Sequence, residues 1–166
     1  MRKRIHVAAA VVVREDGKIL CARRGNAKNP EVARRWEFPG GKVEPGETPE
    51  SALARELLEE MDFPVRVKKK IAGVEHDYAE FTILMDAFLC VPAKADAAFV
   101  LREHEEARWL APEELGALDW APADVPVAEA LLADKKHSRV SPARRARIRR
   151  NSPDHADGKT PACSRM

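Results

Sequence analysis

Residues 40–63 read GGKVEPGETPESALARELLEEMDF, a glycine turn followed by a helix start signal and a helical stretch. Thr48 is a favourable N-cap, and Pro49 fits the first helical position because its missing N–H has no intrahelical partner to lose there. Glu50 favours the positive end of the helix dipole. This stretch therefore predicts a helix that starts at Thr48 or Pro49.

The predicted helix has an apolar face and an acidic face. At 100° per residue, its apolar side chains span an arc of roughly 140°, and three carboxylates cluster opposite them within roughly 100°. The apolar positions are Leu53, Ala54, Leu57, Leu58 and Met61, and the acidic ones are Glu56, Glu59 and Glu60. Like charges at this spacing destabilise a helix by about 0.2–0.5 kcal/mol per pair. Clustered carboxylates suit Mg²⁺ or Mn²⁺, although a solvated acidic face accounts for the same composition.

The spacing of the whole stretch is more specific than its charge. The specified positions are Gly41, Glu47, Arg55-Glu56-Leu57, Glu59-Glu60 and Phe63, separated by five, seven, one and two residues. This pattern resembles the Nudix box, the signature of the Nudix hydrolases, and eight positions at fixed spacing make a strong match. Asp62 stands where the family usually has a glycine that ends the helix in a left-handed conformation. Because Asp tolerates that conformation, we expect the helix end and the site to be retained.

The resemblance covers residues 4 to about 135 and implies a fold of the α/β class, the Nudix α/β/α sandwich around a mixed β-sheet. It also implies roles for the box residues. The implied metal ligands are Glu56, Glu59 and Glu60 with the Gly41 carbonyl, while Arg55 orients a carboxylate and Glu47 supports the loop. Glu56 and Glu103 are both candidates for the base that activates the attacking water.

Apolar and β-branched runs predict the strands. Runs at 4–14 and 18–24 flank Glu15-Asp16-Gly17, a turn signal that predicts a hairpin, and runs at 65–78 and 81–91 predict a second antiparallel pair. The basic and apolar N-terminus imitates a signal peptide, but its apolar run is short, so we interpret it as the first strand. A short strand ending at Leu110, a short helix after it and a final helix to about residue 135 complete the prediction.

The MutT-like branch of the family suggests three substrate-binding residues. Arg24 matches an arginine that approaches the substrate phosphates after the second strand, whereas a solvated rim position accounts equally well for Arg23. Phe38, within the family-like sequence EFPGGK, is a candidate for ligand contact or for the core. Tyr78 matches an aromatic that lines the nucleobase pocket, with a strand-end tyrosine in water as the alternative.

Two acidic residues complete the candidate site. MutT-like proteins carry a catalytic glutamate six residues before the tryptophan found here at position 109, which selects Glu103, although Glu105 and Glu106 are near enough to confuse the assignment. Asp124 occupies a position that presents a polar side chain to the base, as in related (d)CTP pyrophosphohydrolases, or else it only caps the last helix. An ionised Asp124 accepts hydrogen bonds only, so it suits a base edge rich in donors.

Charge divides the chain into two parts. Residues 136–166 carry nine Lys or Arg and two Asp, a net charge of +7, which leaves 20 basic and 25 acidic residues before them. We expect one Nudix domain over residues 1–135 and a basic, disordered tail over 136–166. The tail suits weak contact with nucleic acid, or it has no partner. Three unpaired cysteines and the lack of a membrane-length apolar run favour a soluble, cytoplasmic protein.

The resemblance implies a Mg²⁺-dependent enzyme, with Mn²⁺ as a possible substitute. Such an enzyme hydrolyses (deoxy)nucleoside triphosphates to the monophosphate and pyrophosphate, as in MutT-like sanitation of the nucleotide pool, with 8-oxo-dGTP as one substrate. A (d)CTP or 5-methyl-dCTP pyrophosphohydrolase is the first alternative. A nucleotide-binding sensor without catalysis is the alternative of another class, and the complete set of box glutamates argues against it.

Overall fold

The structure is a computed structural model that describes residues 1–138. In chain order the elements are strands β1 (Lys3–Val12), β2 (Ile19–Arg24), β3 (Trp36–Glu37) and β4 (Gly40–Lys42), helix α1 (Pro49–Met61), strands β5 (Val65–Asp77), β6 (Phe81–Pro92) and β7 (His104–Leu110), 3-10 helices at Pro112–Ala117 and Pro122–Asp124, and helix α2 (Val125–Ser138).

The strands form two sheets. The larger sheet has the order β4-β1-β6-β5, and it is mixed because β1 and β6 run parallel while the outer strands pair antiparallel to them. The smaller sheet has the order β3-β2-β7 and is antiparallel. This architecture confirms the predicted α/β class with a mixed sheet.

Strand β1 separates two apolar cores. Its alternate side chains point to opposite faces of the sheet, as the period of a strand requires. Ala9 and Val11 pack in a core with residues of α2, whereas Ala10 and Val12 pack in a second core with residues of α1. The two helices therefore cover opposite sides of the sheet layer.

The predicted hairpin between β1 and β2 is wrong in its pairing. The turn itself forms, with Gly17 at φ 81° and an Arg14 N–H that donates to Lys18 O at 2.9 Å. Beyond one bridge between Val13 and Ile19, however, the strands separate into different sheets. A turn signal fixes a local reversal of the chain, but it does not fix how far the flanking strands remain paired.

The second predicted pair, β5 with β6, is confirmed along its length, with two register shifts.

Helix α1 begins and ends as predicted. Thr48 is the N-cap, and its Oγ1 accepts a hydrogen bond from Ser51 N–H at 3.1 Å. Asp62 adopts the left-handed conformation, with φ 48° and ψ 38°, and its N–H donates to Leu58 O at 3.0 Å. The predicted burial of Leu58 is wrong, since this side chain lies at the edge of the apolar arc and is 47% exposed.

Helix α2 extends to Ser138, three residues past the predicted end of the domain. Most of the predicted basic tail lies outside the described residues. Within residues 1–138, no helix combines the length and the apolar character needed to cross a membrane.

Candidate functional site

A cavity of about 340 Å³ is lined by residues of both sheets, of α1 and of the second 3-10 helix. It has two ends of different chemistry. The carboxylate end is formed by Glu56, Glu60 and Glu103 around Gly41. The buried end is formed by Arg24, Glu37, Phe38, His104 and Asp124. Apolar side chains of β1 and β6, including Val7, Ile83 and Met85, line the wall between them.

Two glycines of β4 let the chain pass close to its neighbours. A Cβ on Gly40 would lie 1.9 Å from the Ala8 carbonyl oxygen, and a Cβ on Gly41 would lie 2.4 Å from Cδ of Glu56. Only glycine avoids these overlaps, because any other side chain would displace backbone or the carboxylate. The predicted neighbourhood of Gly41 and Glu56 is therefore present in the structure.

Arg55 holds the loop before α1 and the carboxylate next to it. Its Nε and Nη2 donate to the two oxygens of Glu47 at 2.9 and 2.7 Å, and its Nη1 donates to Glu56 Oε1 at 2.9 Å. Glu47 also accepts a hydrogen bond from Glu44 N–H at 3.0 Å, which closes the loop. Hydrogen bonds from Arg55, then from the Glu44 N–H, lower the pKa of Glu47. These contacts match the orienting role expected of Arg55 and the loop support expected of Glu47.

Glu60 lies between two other carboxylates. Burial, followed by the negative charge of Glu103 and contact with Glu56, raises the pKa of Glu60 to about 9. In the absence of a cation, the pocket therefore favours the protonated form of Glu60 near neutral pH. A bound cation would oppose this shift, because its positive charge favours the ionised carboxylate.

The predicted metal ligands are only partly assembled. Among residues 1–138, no group of three or more His, Cys, Asp or Glu side chains stands at positions ready to hold a metal ion. Glu59 in particular is 60% exposed and contacts Arg55 at 3.3 Å rather than the cavity. The donor set still fits a hard divalent cation, because Glu56, Glu60 and Glu103 bring carboxylate oxygens together beside the backbone of Gly41.

Asp124 lies at the buried end and is 3% exposed. Its Oδ1 accepts a hydrogen bond from Phe38 N–H at 2.9 Å, so it joins two segments that are 86 residues apart. Burial, then the negative charge of Glu37, raises the pKa of Asp124 well above its ordinary value. This changes the expectation of an ionised, acceptor-only side chain, because a neutral carboxyl carries one donor and one acceptor.

Glu37 and His104 complete the buried end, and the sequence analysis assigned no role to either. His104 Nε2 lies 2.9 Å from Glu37 Oε1, and the other Glu37 oxygen lies 3.4 Å from Arg24 Nε. Both residues stand directly beside predicted site residues, Glu37 before Phe38 and His104 after Glu103. Their position next to predicted site residues was the one signal in the sequence that could have identified them. It does not reveal that Glu37 and His104 contact each other across 67 residues.

The structure separates the remaining candidates. Glu103 lines the cavity. Glu105 and Glu106 do not line it, and each has a carboxylate oxygen 3.5 Å from Nη2 of Arg23. Arg24 lines the cavity as expected. This placement favours Glu103 and Arg24 over their neighbours in sequence.

Tyr78 is placed differently from the expectation. It is buried in the core beneath α2, where its hydroxyl accepts a hydrogen bond from Ala123 N–H at 3.2 Å, and it does not line the cavity. A strand-end tyrosine has enough apolar surface to join the core once a backbone donor satisfies its oxygen. Phe38 is buried as well, and its ring stacks on Trp120 with centroids 4.6 Å apart, but it also borders the cavity.

The profile of the NUDIX domain matches residues 3–131. The chain belongs to the Nudix family. Its curated relatives include the CTP pyrophosphohydrolase of Escherichia coli K12, 39% identical over 131 residues that cover 79% of this chain and 93% of the relative. The 8-oxo-dGTP diphosphatase of the same organism is 30% identical over 125 residues, which cover 75% of this chain and 94% of that protein.

The fold agrees with that of solved Nudix structures. The crystal structure of the MutT protein from Methanosarcina mazei Go1 shares 26% identity and a TM-score of 0.70, covering 81% of this chain and 97% of that one. Membership of the family and the resemblance to its MutT-like branch are thus confirmed, and the chain is a Nudix hydrolase. Nudix hydrolases use divalent metal ions in general.

Proposed function

We propose that this Nudix hydrolase converts (deoxy)nucleoside triphosphates to the monophosphate and pyrophosphate, with oxidised purine nucleotides such as 8-oxo-dGTP as its main substrates. One observation carries this proposal. A single cavity joins a carboxylate end, which suits a metal-bound polyphosphate, to a buried end whose polar groups suit the edge of a base. The relatives named for 8-oxo-dGTP and for CTP support the same reaction class.

The carboxylate end is the proposed place of Mg²⁺, with Mn²⁺ able to replace it. Glu56, Glu60 and the Gly41 carbonyl would hold the ion, and Glu59 would join them only if it turned away from Arg55. When bound, the ion neutralises phosphate oxygens and lowers the pKa of an attacking water. Arg55 meanwhile holds the Glu56 side chain in place through the hydrogen bond from its Nη1.

The base that takes the proton of the attacking water is Glu56 or Glu103. Glu56 Oε1 already accepts a hydrogen bond from Arg55 Nη1 at 2.9 Å, so fewer lone pairs of this carboxylate are left for a proton from water. Glu103 lies at the cavity without that partner and is more exposed. We therefore propose Glu103 as the base and Glu56 as a ligand.

At the buried end, Asp124 and the Phe38 backbone are proposed to read the base. A neutral Asp124 presents an O–H donor beside a carbonyl acceptor. That pair matches the O6 acceptor and the N7–H donor of 8-oxoguanine, whereas undamaged guanine presents two acceptors on the same edge. Arg24, at the rim of this end, is proposed to approach the phosphates.

A (d)CTP pyrophosphohydrolase is the second candidate, and Asp124 favours it as well. The N4 amino group and the N3 acceptor of cytosine also pair with a neutral carboxyl. The CTP pyrophosphohydrolase among the relatives, 39% identical, is in keeping with this candidate.

Buried, unpaired Cys21 and Cys90 fit a reducing compartment, so we propose that the protein is cytoplasmic.

A nucleotide panel tests the proposal. Pyrophosphate release from 8-oxo-dGTP, dGTP, dCTP and 5-methyl-dCTP is measured with Mg²⁺ and a coupled pyrophosphatase, with Mn²⁺ as a second condition, and AMP formation from ADP-ribose is followed separately. We expect the highest kcat/KM for 8-oxo-dGTP, and a higher value for dCTP would select the second candidate. Tight, Mg²⁺-dependent nucleotide binding without release would identify a sensor instead of an enzyme.

A further inference from the structure

Glu37 occupies an unusual position for an acidic residue, because it lines a cavity proposed to accept an anionic substrate. Its side chain is 19% exposed, and each oxygen has its own partner. Oε1 lies 2.9 Å from His104 Nε2, and Oε2 lies 3.4 Å from Arg24 Nε. The carboxylate therefore bridges a buried imidazole and a rim guanidinium.

His104 is the most buried of these three residues. Its side chain is only 4% exposed, and it starts β7, so its backbone is held by the smaller sheet. Because Nε2 faces a carboxylate, which can only accept, Nε2–H donates the hydrogen bond to Glu37 Oε1. Within residues 1–138, the buried Nδ1 has no hydrogen-bond partner, so the Glu37 contact is the polar bond that orients this ring.

Arg24 is the most exposed of the three residues in this group. It ends β2, its side chain is 46% exposed, and the register between β2 and β7 shifts between Arg23 and Arg24 so that Arg24 stands opposite His104. Such a shift re-aims a side chain at the rim of a sheet. A long guanidinium at this place loses rotamer freedom when it binds phosphate, unless another group already restricts it.

We propose that His104 and Glu37 are positioning residues that hold Arg24 toward the phosphates of the substrate. His104 fixes the Glu37 carboxylate, and Glu37 in turn directs the Arg24 guanidinium. The inference rests on the proposed function, since it assigns a phosphate contact to Arg24. It adds two residues to the site and connects the start of β7 to substrate binding.

Substitutions of His104 test the chain of contacts. His104→Leu removes the donor, whereas His104→Gln places an amide N–H near the former Nε2. We expect kcat/KM for the best triphosphate to fall about tenfold in His104→Leu, mainly through KM, and to stay within about threefold of wild type in His104→Gln. Glu37→Gln, which keeps the shape of the side chain but removes its charge, should match His104→Leu and serves if that variant folds poorly.

A double-mutant cycle separates positioning from a structural role. In an Arg24→Ala background, His104→Leu should cost less than about twofold, because the residue through which it acts is absent. His6→Leu is the matched control, since His6 also pairs with a carboxylate, Asp86 at 2.6 Å, but lines no part of the cavity. We expect unchanged kcat/KM in that control.

Two results would overturn the inference. One is a His104→Leu loss that persists in full without Arg24, and the other is a His104→Gln variant as impaired as His104→Leu. Wild-type protein that releases no pyrophosphate from any triphosphate would overturn the proposed function, and this inference with it. Normal wild-type turnover with additive losses would overturn the inference alone.

Discussion

The two ends of the cavity differ in the partners of their carboxyl groups. At the carboxylate end, burial and the mutual repulsion of Glu56, Glu60 and Glu103 favour a proton on Glu60. At the buried end, Glu37 lies near Arg24, and Asp124 accepts a hydrogen bond from the Phe38 N–H, while burial and the charge of Glu37 raise the pKa of Asp124 as well. A cation would complete the first end, whereas the carboxyl groups of the second already have partners within the protein.

Because of this difference, we expect mutations at the two ends of the cavity to have different effects on activity. A change at the carboxylate end alters how a metal is held, so it should reduce turnover on every substrate. A change at Asp124, in the buried end, leaves the reacting groups in place, so it should mainly alter which substrate is preferred and how activity depends on pH. The following predictions test this contrast.

Glu60→Gln should have the largest effect. Removing one carboxylate charge should lower kcat at least 100-fold at low Mg²⁺ on both 8-oxo-dGTP and dCTP, because metal binding depends on that charge. The fold should be intact or slightly more stable, since a source of repulsion is lost. Steady-state kinetics over a Mg²⁺ series and a thermal melt measure both effects.

The exposed Glu50, in the first turn of the same helix, supplies the control for that variant. Glu50→Gln should leave turnover unchanged. Near-normal turnover of Glu60→Gln at low Mg²⁺ would refute the assignment of the metal to the carboxylate end.

Arg55→Lys should have the next largest effect. Lysine keeps the charge but cannot bind both oxygens of Glu47 while it contacts Glu56. We expect the Mg²⁺ concentration for half-maximal activity to rise about 10–100-fold, as is typical when a group that orients metal ligands is lost. The 8-oxo-dGTP to dCTP ratio should not change, and a changed ratio would show that the two ends are not separate.

Asp124→Asn tests the buried end through pH. The folded protein raises the pKa of Asp124, so above about pH 4 the unfolded chain releases a proton that the folded state retains. Wild-type stability therefore falls as pH rises from that value toward the pKa in the fold. Asn does not titrate, so the melting temperature of the variant relative to wild type should increase across pH 5–9.

The same variant should change activity in parallel. Its kcat/KM for 8-oxo-dGTP, divided by that of wild type, should rise with pH because ionised Asp124 loses the donor that Asn retains. The loss of one hydrogen bond in a buried pair corresponds to about 1–3 kcal/mol, or roughly 5–150-fold. A ratio that stays flat over the pH range in which the melting temperatures show Asp124 ionising would mean that Asp124 does not face the base.

Deletion of residues 139–166 should have the smallest effect. Both ends of the cavity lie within residues 1–138, and the deleted stretch is rich in arginine and poor in apolar residues. We expect kcat/KM on free nucleotides within a few-fold of the full chain and nearly the same melting temperature. A drop of several degrees would show that this segment contributes to the stability of the domain.

The part of the carboxylate end formed by Gly41, Glu56 and Glu60 could be predicted because these residues are close in sequence, whereas Glu103 was selected through the family resemblance. Thr48, Gly41 and Asp62 each have a local conformational requirement, and the i, i+4 geometry of a helix places Glu56 beside Glu60. Patterns of this kind act over a few residues. The structure reproduced the helix start, the left-handed helix end and the close approach of Gly41.

The buried end could not be predicted in the same way. The contact of Glu37 with His104 spans 67 residues, and that of Phe38 with Asp124 spans 86. The first depends on β3 and β7 flanking β2 in the smaller sheet, and the second on where the 3-10 helix that carries Asp124 packs. The misplaced hairpin of β1 and β2 has the same cause, as does Tyr78, whose hydroxyl found a donor on a distant 3-10 helix. Chain topology decides these contacts.

The shared position of β1 affects the protein's local opening motions. This strand contributes side chains to the cores under both helices and pairs with β4 and β6 on its two edges. Neither core can come apart alone without exposing part of the other, so the amide protons of β1 should exchange with deuterium only through global unfolding. A nucleotide at one end of the cavity should therefore slow deuterium uptake along a strand that also supports the opposite end.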